Sequence, residues 1–402
     1  MSSCSGLRLH GWSVVIAAFF VMFIECILYI YGVFLKPLID EFGWLRGSVS
    51  SIHAVMMATY TVTVIPVGRL YDRYGPGKLM SVSCILIGLG LMLSSTASSI
   101  WQLYFTFSVM LGLGFSPIYL SSMSTVIRRL TSRSGLAVGI ATSGIGVGQL
   151  VMAPLLTYII DIYGWRAAFT VSGIFSMLII AFATIIISNT YRILINMPSS
   201  TEPYRGETLG GALKTWIFKV VYFSYVLACF ALFIVLVHMV PYSIDIGIDP
   251  LTASYWLGLV GVSSVPGRVV MGFVSDKIGK AKTFALCCLI EGLLIPLLLT
   301  GRYVLLPVFA VFFGFFYGGW MAMYAPLIGE LFGLKHIGSI LGTIATAFGI
   351  GGMLGPTFAG YIFDVFGSYV MVFIMCMVMF IMVALLIMEL SRKLGSSYWR
   401  TP

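Results

Sequence analysis

The chain has 402 residues, of which 59% are hydrophobic and 9% carry a charge. Soluble domains carry about 25% charged residues, so this composition excludes an ordinary soluble protein and favours one embedded in a bilayer. No polar segment gathers the net charge of +9 on a soluble surface, so we expect no nucleic-acid partner.

Apolar runs recur along the whole chain, and each is long enough to cross a hydrocarbon core of about 30 Å as a helix. Twelve spans are predicted, in chain order, at 12–36, 48–69, 79–98, 101–127, 136–160, 166–189, 217–241, 251–275, 282–301, 303–331, 338–362 and 368–390. A long polar connection follows the sixth span. We therefore predict an all-α membrane protein with an N-terminal six-helix bundle (1–190), a cytoplasmic linker (191–215), a C-terminal six-helix bundle (216–390) and a tail (391–402).

Lysine and arginine predict the orientation of these spans. Successive connections between spans alternate between the two sides of the membrane. One side holds only Lys36, Arg46, Arg166 and Arg302, and Arg268 lies within a span. The other side therefore holds the remaining 18 of the 23 basic residues. We therefore expect both termini and the linker on the cytoplasmic side of the plasma (cell inner) membrane, with the bilayer accounting for the charge pattern.

Arg268 lies in the eighth predicted span among small and apolar residues. Arginine stays protonated, and a charge near the bilayer centre costs at least about 2.5–3.5 kcal/mol on insertion scales. We interpret Arg268 as a binding site for an anion. The alternative is an arginine that snorkels to headgroups or forms a structural ion pair, because Gly272 and the end of the span follow four residues later.

The two halves repeat at an offset of 202–204 residues. The loop 68–75, GRLYDRYG, matches 272–279, GFVSDKIG, and 158–164, YIIDIYG, matches 361–367, YIFDVFG. Six spans duplicated in the same orientation predict two bundles related by an axis along the membrane normal. The position equivalent to Arg268 is Val64, so the arginine is an addition to one half and not part of the duplicated scaffold.

The duplicated GxxxD loop, together with twelve spans, resembles the signature of the major facilitator superfamily. That resemblance implies alternating access, in which two six-helix bundles rock around a central site. It also implies a conformational latch in the loops, because a carboxylate is favoured near helix N-termini. We assign the latch to Asp72, Arg73, Asp276 and Lys277; the alternative is a role in topology and folding alone.

A narrower resemblance involves two segments. Residues 136–148, LAVGIATSGIGVG, which include Ile145, are similar to the fifth-span signature of monocarboxylate transporters, and 268–272, RVVMG, is similar to their eighth-span arginine segment. The resemblance implies that Arg268 engages a substrate carboxylate. It places a family aspartate at Ser264 and a family lysine near Leu28 and Tyr29, where this chain has neither, so we expect prokaryotic members to be closer relatives.

By the same resemblance, the first, fourth, seventh and tenth spans line the cavity. Their candidate substrate-binding residues, beside Arg268, Ser264 and Ile145, are Leu28, Tyr29, Tyr119, His238, Tyr317, Trp320 and Tyr324. The last three, at i, i+3 and i+7, form a helical stripe that is otherwise typical of packing.

Two ionisable side chains are candidates for proton coupling. Glu25 is mid-span, and apolar surroundings favour the protonated form of a carboxyl group. His238 titrates near neutral pH when unperturbed. The alternatives are a structural partner for Glu25 and a satisfied histidine near the outer surface for His238. No role is assigned to Glu291 beyond packing.

Taken together, these features favour a monomeric secondary transporter of lactate- or pyruvate-like monocarboxylates, coupled to protons. The eleventh span lacks a lysine, whereas a dicarboxylate carrier needs a second cation; protonated His238 keeps an oxalate/formate-type antiporter open. A transport-inactive carboxylate sensor is the third reading. The sequence contains no P-loop, no HExxH motif and no convincing catalytic triad, so we predict no enzyme, no cofactor and no metal site.

Overall fold

A computed structural model describes residues 3–130, 134–195, 207–333 and 337–398 of the chain. We call 3–195 the first half and 207–398 the second half. The helices of the first half are α1 Ser3–Glu25, α2 Gly32–Phe42, α3 Arg46–Ser94, α4 Ile100–Leu103, α5 Met110–Arg129 and α6 Ser134–Ile195. Those of the second half are α7 Leu209–Lys214, α8 Trp216–Asp245, α9 Pro250–Ile278, α10 Lys280–Leu299, α11 Leu305–Phe332, α12 Ile337–Phe366 and α13 Val370–Tyr398.

Two of these helices are too long for one membrane crossing, and each is divided by a glycine. Gly75 in α3 and Gly164 in α6 have φ angles of 71° and 81°, a region that L side chains rarely adopt. Each glycine therefore separates two legs of its helix. With both breaks counted, the ten long helices, α1, α3, α5, α6 and α8 to α13, provide the twelve predicted legs. By length and hydropathy, ten helices of the described chain qualify as membrane spans. The all-α membrane fold is thereby confirmed.

The first predicted span is not one continuous helix. α1 ends at Glu25, a 3₁₀ turn covers Cys26–Leu28, and α2 begins at Gly32. Gly32 lies so close to α8 that an added Cβ would overlap the carbonyl oxygen of Val237. The break leaves the Leu28 carbonyl free of the α-helical ladder, and it lies 2.9 Å from His53 Nε2. Glu25 ends α1 and Leu28 ends the turn, and the side chains of both are buried.

The halves meet along two helix pairs that glycine brings close together. Between α6 and α9, an added Cβ on Gly146 would overlap the Gly261 carbonyl. Between α3 and α12, a Cβ on Gly352 would lie 2.6 Å from the Met57 side chain. Small residues permit such close approach of helices in membranes. α9 also packs on α11, where Gly267 contacts the Phe315 backbone, so α9 lies between the first half and its own bundle.

Part of the predicted linker is ordered as helix. Within 207–215 the short helix α7, Leu209–Lys214, is capped by the Thr208 hydroxyl. The Glu207 N–H donates to the Phe332 carbonyl at 2.8 Å, which ties the start of this segment to the end of α11. Residues 196–206 lie outside the described chain.

Candidate functional site

Arg268 lies on α9 at the contact between the halves. Its Nη1 donates to the Thr142 carbonyl of α6 at 3.0 Å, and its side chain is half-buried. Its Nε is buried and has no hydrogen-bond partner within the described chain. The guanidinium is therefore held from one side by the first half, while part of its donor set remains unused.

Three tyrosines lie close enough to the guanidinium to interact with its charge. Arg268 lies within electrostatic range of Tyr29, Tyr119 and Tyr317, which come from three different helical segments. Tyr317 is fully buried, and its hydroxyl has no hydrogen bond of good geometry within the described residues. Tyr119 is 38% exposed, whereas Tyr29 is buried. The structure thus brings four predicted binding residues together.

Glu25 belongs to the same neighbourhood. Its side chain is 4% exposed, and Oε2 has no hydrogen-bond partner in the described chain. It interacts electrostatically with Tyr29, Tyr60 and Tyr119. The cluster therefore combines one fixed cation, one buried carboxyl group and several hydroxyls. Tyr60, on α3, is a member of the cluster that the sequence did not indicate.

The stripe on α11 forms a wall fixed by aromatic contacts. Trp320 is fully buried and meets Tyr225 of α8 edge to face at 5.7 Å. Tyr324 stacks on the same Tyr225 at 4.6 Å and donates to the Leu341 carbonyl at 2.6 Å. Tyr317 is thus the stripe residue that is directed at Arg268, whereas Trp320 and Tyr324 support the wall.

Glu291 lies behind this wall. It is fully buried on α10, beside the Trp320 indole. Both of its carboxyl oxygens are buried without a hydrogen-bond partner within the described residues, and a packing role for Glu291 stays a prediction.

Three further predicted residues lie apart from the guanidinium contacts. Ser264 is buried, and its hydroxyl donates back to the Gly261 carbonyl at 2.6 Å, one turn earlier. Leu28 and Ile145 are buried apolar side chains. They can shape the site but offer no donor to an anion.

His238 lies in a different cluster. Its Nδ1 is 2.9 Å from the Tyr369 hydroxyl, and its Nε2 is 2.8 Å from the Pro356 carbonyl. Both ring nitrogens are therefore engaged by α12 and the start of α13. The sequence placed His238 beside Arg268 because of its span, but the span alone does not fix which neighbour a buried histidine meets.

The predicted latch residues are only partly described. Arg73, Asp276 and Lys277 are exposed, and Arg73 lies over the Tyr74 ring at 5.2 Å. No ion pair of these three is formed with another described residue. The Asp72 side chain lies outside the described part of the structure.

Comparison with known proteins gives the family. The profile described as Major Facilitator Superfamily matches residues 14–210 and 221–397. The chain is 26% identical to "Monocarboxylate transporter 12" of Xenopus laevis, covering 91% of this chain and 85% of that protein. It is 28% identical to "Monocarboxylate transporter 13" of Rattus norvegicus (90% and 85%) and 27% identical to "Monocarboxylate transporter 11" of Mus musculus (96% and 88%).

The fold is also that of a solved transporter. The structure titled "Crystal Structure of A Bacterial Homolog to Human Lysosomal Transporter, Spinster, in Inward-facing And Occupied Conformation" superposes with a TM-score of 0.73 at 15% identity, covering 97% of this chain and 98% of that one. The named sequence relatives are vertebrate proteins, so a closer kinship with prokaryotic members stays a prediction. The chain therefore belongs to the major facilitator superfamily and is a multi-pass membrane transporter, not an enzyme, that is related to monocarboxylate transporters.

Proposed function

We propose that this chain carries a small monocarboxylate by alternating access, with Arg268 binding the carboxylate. One observation carries the proposal: Nη1 is held by Thr142 of the first half, while the buried Nε has no partner in the described chain. The Nε edge of an arginine donates two parallel bonds to one carboxylate. A carboxylate bound there would contact the second half directly and the first half through the same guanidinium.

A single carboxylate fits the charges near Arg268. The sequence of α12 contains no lysine or arginine. His238, the remaining candidate for a second cation, has both nitrogens bound by Tyr369 and Pro356. These contacts favour a lactate- or pyruvate-like substrate over a dicarboxylate. The Tyr317 hydroxyl, which lacks a well-formed hydrogen bond within the described chain, is a natural donor to the substrate.

Glu25 is our candidate for the proton-binding residue. An anion entering a negative-inside cell costs about 2.3 kcal/mol per charge per 100 mV, and a cotransported proton cancels that cost. Glu25 is buried in the cluster that contains Arg268, whereas His238 is engaged elsewhere. The position of Glu25, near two tyrosines that also interact with Arg268, therefore supports proton symport.

Different parts of the chain have different roles in the proposed transport cycle. We assign the moving bundles to residues 1–190 and 216–390, joined by 191–215, and we retain Asp72, Arg73, Asp276 and Lys277 as a latch on the cytoplasmic side. The loops at 43–45, 246–249 and 367–369 lie at the opposite end, which we place outside the cell because of the lysine and arginine distribution. The carrier acts as a monomer in the plasma membrane.

Uptake into proteoliposomes tests this function. Labelled lactate or pyruvate should accumulate when the outside is more acidic than the inside, and Arg268→Ala should abolish accumulation. Arg302→Ala, which removes an exposed arginine from a loop, is the matched control and should transport normally. Binding without uptake would indicate the sensor, and oxalate counterflow indifferent to the proton gradient would indicate the antiporter.

A further inference from the structure

At one end of the bundle, a single arginine joins the two halves. Arg46 is the first residue of α3 and is 8% exposed. Its Nη2 donates to Asp245 Oδ1 at 2.8 Å, and its Nη1 lies 2.6 Å from Asp245 Oδ2 and 2.9 Å from the Tyr369 hydroxyl. The guanidinium also lies over the Phe363 ring at 3.9 Å. All of these partners belong to the second half. We call this the Arg46 end.

The N-terminus of α3 is capped by the other half of the molecule. The first N–H groups of a helix need acceptors, which the N-cap side chain normally supplies. The N-cap of α3 is Leu45, which has no side-chain acceptor. Instead the N–H groups of Arg46 and Gly47 donate to the carboxylate of Asp364 on α12, at 2.9 and 2.8 Å. Separation of α3 from α12 would leave these donors without that acceptor.

Comparison of the two repeats shows that only one of the two junctions between the halves, α3–α12, depends on a cap from the opposite half. α9 is the counterpart of α3, and Asp161 is the counterpart of Asp364. However, α9 caps itself, because Asp249 accepts from the Thr252 N–H at 2.9 Å and Pro250 has no N–H to satisfy. Asp161 is exposed. The α6–α9 junction therefore does not rely on a carboxylate from the opposite half, whereas the α3–α12 junction does.

A directed hydrogen-bond chain extends this junction inward. Tyr369 accepts from Arg46, since a guanidinium only donates, so its own hydrogen is free for His238 Nδ1. His238 Nε2 must then carry a hydrogen, because its partner, the Pro356 carbonyl, only accepts. Ser50 of α3 lies 3.5 Å from the same nitrogen. Two of these contacts, Arg46 to Tyr369 and Ser50 to His238, join α3 to the second half, and the other two lie within the second half.

We propose that Asp364 and Arg46 form the gate that closes the Arg46 end of the transporter, and that the end opens by separation of α3 from α12. The closed form is favoured because only there is α3 capped. Loss of a helix cap shifts such an equilibrium by roughly 5- to 30-fold. The gate is independent of substrate identity, since none of its contacts involves the Arg268 cluster.

Labelling of a reporter cysteine tests the gate. Ser50 is buried between the halves, and Ser50→Cys preserves its size. In the full-length carrier without substrate, Asp364→Ala should raise the rate of labelling of this cysteine by a membrane-impermeant maleimide roughly 5- to 30-fold. Asp161→Ala, the repeat-matched control, should change the rate less than about twofold, as a surface substitution does. The chain with native Ser50 supplies the background from the native cysteines.

A third variant separates gating from helix stability. Leu45 is exposed, and its φ and ψ of −64° and 147° nearly equal the −64° and 146° of Asp249. Leu45→Asp should therefore cap α3 locally. In the Leu45→Asp/Asp364→Ala double variant, Tm should return towards that of the parent while labelling stays fast. An unchanged labelling rate in Asp364→Ala, an equal rise in Asp161→Ala, or slow labelling in the double variant would each overturn the gate.

Discussion

Replacing Arg268 by alanine removes the cation and leaves its tyrosine neighbours in place. Hydrogen bonds to charged groups contribute about 1.5–3 kcal/mol each. Two such bonds from the Nε edge to a carboxylate would therefore weaken substrate binding by roughly 10²- to 10⁴-fold when lost. Arg268→Lys keeps the charge but replaces the planar guanidinium by an ammonium group, which loses one of the two hydrogen bonds. We therefore expect substrate binding to weaken by roughly 10- to 100-fold.

Thermal unfolding of the purified carrier measures both effects. A ligand at 100 times its Kd stabilises a protein by about 2.7 kcal/mol, so lactate or pyruvate should raise the Tm of the parent. The shift should disappear in Arg268→Ala. The Tm without ligand should stay close to that of the parent, because a half-buried arginine with an unpaired Nε contributes little to stability. A substrate-induced shift of parental size in Arg268→Ala would refute the site.

Three further outcomes are expected. Glu25→Gln, which cannot release a proton, should abolish pH-driven uptake and retain exchange; normal pH-driven uptake would remove Glu25 from coupling. Tyr317→Phe should weaken substrate affinity by about 0.5–1.5 kcal/mol, a net hydrogen bond, without lowering Tm, because its hydroxyl lacks a well-formed bond in the described chain; a lower Tm with parental affinity would contradict this. Hydrogen bonds from the Thr252 hydroxyl and N–H hold the pKa of Asp249 below its ordinary 3.8. Its cap, worth about 1 kcal/mol, is therefore complete above that pH and lost as the pH falls through the lowered pKa, so the Tm gap between parent and Asp249→Ala should close in acid; a constant gap would argue against the cap.

The membrane architecture could be read from the sequence because bilayer thickness fixes helix length. Apolar run length located the twelve legs, and duplicated motifs located the two halves. The repeat also singled out Arg268, whose counterpart is Val64. A charge that is present in only one of two repeats is informative, because the other repeat shows that the fold forms without it. The structure then places Arg268 at the contact between the halves.

The break between Glu25 and Gly32 had no comparable signal. Hydropathy does not reveal the break, because Tyr29, Ile30 and Tyr31 are buried within one long apolar run that includes both flanking helices. The cause lies in tertiary packing, where Gly32 meets the α8 backbone. The contact of His238 with Tyr369 had no sequence signal either, because the two residues lie 131 positions apart in the chain.

The gate could have been suspected from a pattern already visible. Asp161 and Asp364 recur in the two copies of one motif, YIxDxxG, yet only the helix opposite Asp364 begins without a capping residue. Arg46 was counted only as a basic residue of an outer loop. A charge count along the chain does not show that such a residue is buried against a carboxylate 199 positions away.

The bond from Arg268 to the Thr142 carbonyl makes the orientation of the guanidinium depend on the first half. In the proposed alternating-access cycle, rocking of the bundles would move this carbonyl relative to α9 and turn the plane of the guanidinium with it. A carboxylate then meets a different donor geometry from each side of the membrane. We accordingly expect the KM for influx to differ from the KM for efflux.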